Sequence, residues 1–420
     1  MNTSVKNDRR NVIWNAIGST ANAFISLIFT IFATRINGVD QAGIFSYGFA
    51  FACMLYAVGS YIIRAFQVTD LSGNFTDSDY IYNRVTTCII MMILAAGFVL
   101  INGYSIYKSS IILCLCLFKC AEAFGEVIYG ILQKSGRLWM VGISLLCKAI
   151  TAIALFLAID LITGNLLLAC FILVVVYVAF MIFYDLTQLK DVDRTKSPFS
   201  FSQNNKLFKV GFYTFVITVL CVYLINAPRY AIDGMMDNEH QTIYGIIILP
   251  ATFMNLLAHY VIQPFLTSIS QSIKDGLVDK LKKSIVSISL VMAGLGIIVF
   301  VVAFLFEEPI LSLVYGLDLG AHKFQMLLII FGSIFYGFEA VFSHILIAFR
   351  KTGFQALVFI VVSILALVLS NRMVYYKGIT GAAITYVVIM ISLAVSFGIY
   401  LIYVFKKYVS SLKQTEGEKQ

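Results

Sequence analysis

Charge is scarce in this chain: of 420 residues only 12% are charged, against 60% hydrophobic, and the mean hydropathy is +0.90. Too little polar surface remains to cover a soluble globule of that size, which excludes water as the solvent for most of it. Strand-like alternation is missing as well. Stretches such as Leu166 to Tyr184 and Ser284 to Phe304 are continuously apolar, which excludes a β-barrel of alternating segments. Long polar segments are also lacking, so no separate soluble domain is expected between the apolar runs. The eight cysteines have no histidine beside them. Cys114, Cys116 and Cys120 fit no common zinc spacing and read as buried apolar filler, so no metal site, cofactor or catalytic residue is expected.

What is present is a series of apolar runs, each long enough for a helix rising 1.5 Å per residue to cross a hydrocarbon core of about 30 Å. Spans are predicted at 11–33, 42–63, 85–103, 110–132, 138–159, 163–184, 207–226, 242–264, 284–304, 324–348, 354–373 and 379–404. Lys6, Arg9 and Arg10 before the first run, and Ala21-Asn22-Ala23 within it, imitate a secretory signal. The apolar run continues through Phe32, too far for a signal sequence, and reads as a retained span. Of the 30 basic residues, 22 fall on or beside the N-terminus, the even-to-odd connections and the C-terminal tail; six flank the opposite side, and Lys119 and Lys148 lie within spans. Basic residues stay on the cytoplasmic face, so both termini are expected inside. Spread over loops in this way, the net charge of +8 forms no nucleic-acid patch.

The two halves of the chain resemble one another. Ser60-Tyr61-Ile62-Ile63-Arg64-Ala65-Phe66 lies against His259-Tyr260-Val261-Ile262-Gln263-Pro264-Phe265. At one further offset Glu122-Ala123 matches Glu339-Ala340, Ser135-Gly136 parallels Thr352-Gly353, and Ile162-Thr163-Gly164 matches Ile379-Thr380-Gly381. A repeat of six spans enters the membrane twice in the same direction. The expectation is an all-α integral membrane protein of about twelve transmembrane helices in two pseudo-symmetric six-helix lobes around a central cavity, the architecture of a transporter. The lobes are placed at 1–190 and 207–405, with a cytoplasmic linker at 191–206 and a tail at 406–420.

Charges inside spans are the sharpest functional signal. Lys119, Glu122 and Glu126 follow one another at i, i+3 and i+7 and share a helical face. Glu122 and Lys148 stand at equal distance from the turn near Ser135, which predicts an ion pair between them. Glu339 is the repeat mate of Glu122 with no evident basic partner. At about 2.5–3.5 kcal/mol each, five such groups facing lipid would cost roughly 12–18 kcal/mol, so they must pair, protonate or face water. They either line a substrate or ion path or pin helices together. Asn11, Asn15, Ser19 and Asn22 form a polar stripe on the first span, facing a cavity or bonding to neighbouring helices. Arg35 and Arg229 end the first span of each lobe on the outer side, and Arg64 and Arg350 end spans on the inner side. Each could attract a phosphate or simply anchor the topology. Pro250 and Pro264 can kink the eighth span, and His259 and His344 lie within spans.

The chain resembles the Wzx-type polysaccharide flippases of the multidrug/oligosaccharidyl-lipid/polysaccharide exporter superfamily, over nearly its whole length. The resemblance rests on Asn11-Val-Ile-Trp14-Asn15, Thr34-Arg35-Ile-Asn-Gly38, Ala42-Gly43-Ile44-Phe45-Ser46, Leu313-Val-Tyr315-Gly316 and Gly378-Ile-Thr-Gly381-Ala-Ala383. It implies a bacterial inner-membrane protein that moves an undecaprenyl-pyrophosphate-linked oligosaccharide to the outer leaflet by alternating access driven by an ion gradient. Lys119, Lys148, Arg35, Arg64, Arg229, Asn15 and Asn22 are then the substrate-binding candidates, and Glu122, Glu126 and Glu339 the ion-coupling ones. The implied partners are the lipid-linked oligosaccharide and membrane lipid, with a polysaccharide polymerase as a candidate protein partner. A drug or metabolite antiporter of the same superfamily is the rival; those often carry an acid in the first or seventh span, and here both lack Asp and Glu. A glycan polymerase or ligase needs a sizeable outer loop that is not present, so no enzyme activity is expected.

Overall fold

The computed structural model describes residues 2–61, 63–70, 74–190, 192–349 and 351–417. Among these residues there is no strand. In chain order the helices are α1 (Asn2–Asn37), α2 (Val39–Ser60), α3 (Ile63–Thr69), α4 (Asp77–Asn102), α5 (Ile106–Lys134), α6 (Leu138–Thr163) and α7 (Leu166–Phe180). A π-helical turn at Met181–Asp185 extends α7. There follow α8 (Phe201–Met235), α9 (Asn238–Ile247), α10 (Leu249–Lys274), α11 (Val278–Tyr315), α12 (Lys323–Ala348) and α13 (Thr352–Gly417).

Among the described residues nine helices are long and apolar enough to cross a membrane. Three further expected spans are also helical. One is α5, interrupted by Lys119, Glu122 and Glu126; another is α10, which meets α9 at Ile248. The third is the second arm of α13, which folds back at Gly378 with φ 53° and ψ −134°, a conformation open essentially to glycine alone. The total agrees with the expected dozen or so. Along α11, Leu290, Ile297 and Leu305 are each more than half exposed, a display that only lipid tolerates over such a length. The matched Ile-Thr-Gly triplets do not coincide in structure. Gly164 turns the chain after α6 at φ 59°, whereas the corresponding turn in the second half is made at Gly378, three residues before Gly381.

The chain forms two compact units, Met1–Val222 and Tyr223–Gln420. In the first, α1 packs on α6, and α5 is flanked by α2, α4 and α7. The crossing of α1 and α6 is a contact of backbones: a Cβ placed on Gly142 would lie 2.1 Å from the Trp14 carbonyl oxygen. Small residues permit that approach, which is how helices associate where lipid offers no hydrophobic drive. The segment Thr195–Ser200 is fastened to the start of α4. The Asp77 carboxylate accepts from Thr195 N (3.0 Å) and Ser197 Oγ donates to Asp79 (3.2 Å), while Thr76 and Asp79 close a capping box on α4 itself. The cytoplasmic linker expected at 191–206 is bonded to α4 at Thr195 and Ser197, and α8 begins at Phe201, before the span expected from 207. In the second unit α12 lies against α10, α11 and α13. Arg350 and the side chain of His259 lie outside the described residues.

Candidate functional site

Helix α5 carries Lys119, Glu122 and Glu126 on one face, as their spacing predicts, but they do not act as a single wall. Lys119 Nζ lies 2.7 Å from Glu122 Oε2, and Asn22 Nδ2 of α1 donates to the other oxygen at 3.0 Å. Tyr177 of α7 donates to Asn22 Oδ1 (3.2 Å), so three helices meet on one carboxylate. The ammonium also faces the rings of Phe49 (5.0 Å), Phe118 (5.1 Å) and Tyr56 (5.7 Å), a partly apolar cradle in which a cation is held by ring faces as well as by its counter-ion. Both side chains are about nine-tenths buried, at 12% and 10% exposure.

One turn along, Glu126 turns to α3. Arg64 Nη1 binds its carboxylate at 2.9 Å while Nε and Nη2 donate to Gln133 Oε1 at 3.3 and 3.0 Å. Arg64 follows the break between α2 and α3 at Tyr61, which holds φ 44°. Two contacts secure that left-handed residue. Its hydroxyl donates to the Phe208 carbonyl at 2.9 Å, and its ring stacks on Phe215 at 4.6 Å. Arg84 closes the broken end of α2 by donating to the Gly59 carbonyl, which also accepts from Thr87.

Lys148 corrects the sequence-based expectation: it pairs with Asp185, not with Glu122. Its ammonium also donates to Tyr129 Oη at 2.6 Å, and Ser144 Oγ donates to the second Asp185 oxygen at 2.5 Å. Since Ser144 gives its single proton to the carboxylate, the Tyr129 hydroxyl is the donor in its 3.3 Å contact with Ser144. The result is a closed ring of four side chains with the ion pair fully buried, at 3% and 1% exposure. Glu122 and Lys148 are equally far from the turn in sequence, but side chains tilt toward the N-terminus of their own helix. Helices α5 and α6 are antiparallel, so the two side chains lean apart, and Lys148 reaches down to the π-helical turn that carries Asp185.

The polar stripe on α1 divides. Asn22 serves Glu122, and Asn11 bonds the α5–α6 turn through Gly136 O (3.1 Å) and Trp139 N (2.9 Å). Asn15 sits at the crossing with Gly142. Arg35 closes the last turn of α1, about 20 Å beyond Asn22 along the helix. Arg229 and Glu339 belong to the second unit. Arg229 is buried on α8, and its carbonyl accepts from Gln241 at 2.6 Å. Glu339 on α12 is 4% exposed and has no hydrogen-bond or ion-pair partner among the described residues. His344 bonds within its own helix to Ala340 O at 2.7 Å.

Sequence reasoning missed several buried charges, among them Asp185, Arg84, Asp160 and Glu307. Asp160 accepts from Asn37 at 2.6 Å, joining α6 to the end of α1, and both carboxylate oxygens of Glu307 are buried without a hydrogen bond among the described residues.

No family model matches the chain. Over nearly its whole length the structure is similar to an inward-facing multidrug resistance MATE family transporter of the MOP superfamily. The TM-score is 0.70 at 13% identity, covering 96% of this chain and 99% of that one. The fold is that of the MATE transporters. The bent form of the Vibrio cholerae MATE transporter VcmN is similar too, with TM-score 0.61 at 10% identity over 98% of this chain and 99% of that one. In sequence the chain is similar to the capsular polysaccharide biosynthesis protein CapF of Staphylococcus aureus, 22% identical over 383 residues, 90% of this chain and 94% of that protein. A MATE-like fold with nine long apolar helices among the described residues makes this a multi-pass membrane protein.

Proposed function

We propose that this protein is a flippase that carries a lipid-linked, pyrophosphate-bearing oligosaccharide across the bacterial cytoplasmic membrane by alternating access, with both termini inside and no chemistry performed on the substrate. The observation that carries this reading is the Lys119–Glu122–Asn22 cluster of α5 and α1. A cation nine-tenths buried among ring faces suits a phosphate, and the carboxylate that holds it suits a coupling ion. An ion or proton taken up by Glu122 releases Lys119 from its partner, so ion occupancy and phosphate affinity are linked reciprocally through one pair. The similarity to CapF supports a sugar-polymer substrate, and the MATE-like fold supports transport. Arg64–Glu126 extends the same face of α5. Lys148, locked in a closed ring, serves as scaffold in this reading, and Glu339 is a second candidate for ion coupling.

Deleting the gene tests the proposal. Undecaprenyl-pyrophosphate-linked repeat units are expected to accumulate on the cytoplasmic leaflet and to clear on complementation with the intact gene but not with K119Q. Absence of accumulation would sink it. The multidrug transporters among the similar folds favour a second reading, a cation-coupled drug or metabolite antiporter. That reading wins if deletion instead raises sensitivity to lipophilic cations while lipid-linked sugars stay unchanged.

A further inference from the structure

The second unit has a pocket of about 520 Å³ where α10, α12 and the end of α13 converge. Its lining includes Lys351 and Lys407 together with the aromatic residues Phe349, Tyr400, Tyr403 and Tyr408. Several contacts make its walls rigid. Tyr408 donates its hydroxyl to the Ile273 carbonyl at the end of α10 (2.6 Å), and Phe349 packs edge-on against Tyr408 at 5.6 Å. Tyr400 stacks on Phe354 at 3.6 Å. Neither ammonium group has a hydrogen-bond or ion-pair partner among the described residues. Asp275, at the end of α10, accepts instead from the Gln271 amide, at 3.0 and 2.9 Å.

The surroundings fix the depth. Above the pocket, α13 presents Ile399 (65% exposed) and Ile402 (58%) outward, and its first arm presents Val361 and Ile364; this is a lipid-facing surface. At Lys406 and Lys407 that surface gives way to charge. Tyrosines and lysines at such a transition mark the plane of lipid headgroups, where the ring stays apolar and the hydroxyl or ammonium reaches the polar layer. A pocket of this size falls in the range of small-ligand sites. Two ammonium groups beside an aromatic floor call for an anion, and the apolar face running up from the mouth calls for hydrocarbon attached to it.

We propose that this pocket binds the phosphate of an anionic glycerophospholipid, held by Lys351 and Lys407, with its acyl chains lying along the exposed face of α13. The site lies wholly within the second unit and is independent of the charged cluster on α5, so it stands whether or not the transported substrate is a lipid-linked sugar. Surface lysines contribute about fivefold each to binding an anionic lipid surface, so losing both predicts a drop of roughly twenty-five-fold.

Native mass spectrometry of the intact protein, titrated with phosphatidylglycerol or phosphatidylcholine, reads the site directly. Phosphatidylglycerol adducts are expected to survive delipidation far better than phosphatidylcholine adducts. They should fall at least tenfold in K351Q/K407Q and stay unchanged in K280Q/K282Q. Tyr403→Leu, which keeps the apolar bulk, should lower them severalfold; a thermal unfolding midpoint matching the unmodified protein shows that each variant is folded. Equal retention of phosphatidylcholine, or no loss in K351Q/K407Q, overturns the proposal. So does displacement of phosphatidylglycerol by millimolar inorganic phosphate, which assigns the pocket to a free anion, or by an equimolar polyprenyl diphosphate, which assigns it to substrate.

Discussion

The two compact units manage buried charge in opposite ways. In the first, Lys119 is matched with Glu122, Arg64 with Glu126 and Lys148 with Asp185, and each pair is completed by an amide or hydroxyl group. In the second, Glu339 and Glu307 are buried without a hydrogen-bond or ion-pair partner among the described residues. A paired charge in a low-dielectric interior binds the fold to both partners, because removing one strands the other. A lone buried carboxyl is costly as an anion and comes into its own only by holding a proton or a cation. The same scaffold thus supports a unit with three internal charge pairs and another with two buried glutamates that have no such pair among the described residues.

The largest expected effect tests how far the first unit depends on its pairs. Lys148→Met or Asp185→Asn should each cost about 3–5 kcal/mol, read by thermal unfolding in detergent, whereas the double change Lys148→Met/Asp185→Leu should recover most of the loss. If the singles are silent, the ring is no structural anchor and the contrast collapses. Glu122→Gln comes next, with roughly 1–3 kcal/mol lost because Lys119 is stranded, together with loss of transport. Glu339→Gln and Glu307→Gln should be neutral or stabilising by about 1 kcal/mol, since a neutral amide replaces an unpartnered acid. A large loss there would mean that these acids do have partners.

Arg64→Gln should cost only about 1 kcal/mol, because that pair is 23% and 21% exposed and solvent screens it. The smallest effect belongs to Asp237, the exposed N-cap of α9, whose carboxyl is held below the usual range chiefly by the backbone N–H of His240, then by the imidazole. A depressed carboxyl contributes stability above its unfolded value, near 4, and loses it as pH falls through the lower folded one. Unfolding midpoints measured on acidification should therefore diverge least from those of Asp237→Ala at the lowest pH, with a difference at neutral pH of about 1 kcal/mol or less.

The helical plan is readable from hydropathy, because crossing lipid requires long apolar runs and little else imitates them. The charge pairing is not, for an identifiable reason. Hydropathy ends spans where charge begins, at 159, 184 and 304, and starts one at 85. Asp160, Asp185, Glu307 and Arg84 therefore stand just outside, looking like loop residues, although each lies within a continuing helix or its π-helical extension. Equal sequence distance from a turn likewise gives Glu122 and Lys148 no shared contact, since antiparallel helices tilt their side chains in opposite directions. The Ile-Thr-Gly repeat marks a turn in both halves, yet a glycine three residues earlier makes the second one. Lys119, Glu122 and Asn22 each stand out in the sequence as polar groups within apolar runs; only the fold, which brings Asn22 of α1 to Glu122 of α5, joins them.

The π-helical turn at Met181–Asp185 makes the deepest pair a matter of counting. Such a turn holds an extra residue relative to an α-helix, so the chain beyond it is rotated by about 100° from the phase it would otherwise keep. Asp185 meets Lys148 because of that offset. Deleting one apolar residue among Met181 to Tyr184 would return the turn to α-helical geometry with the carboxylate still in phase with its lysine, whereas inserting one there would alter no charge and little hydropathy yet swing the carboxylate away. The length of a featureless stretch here carries information that its composition does not.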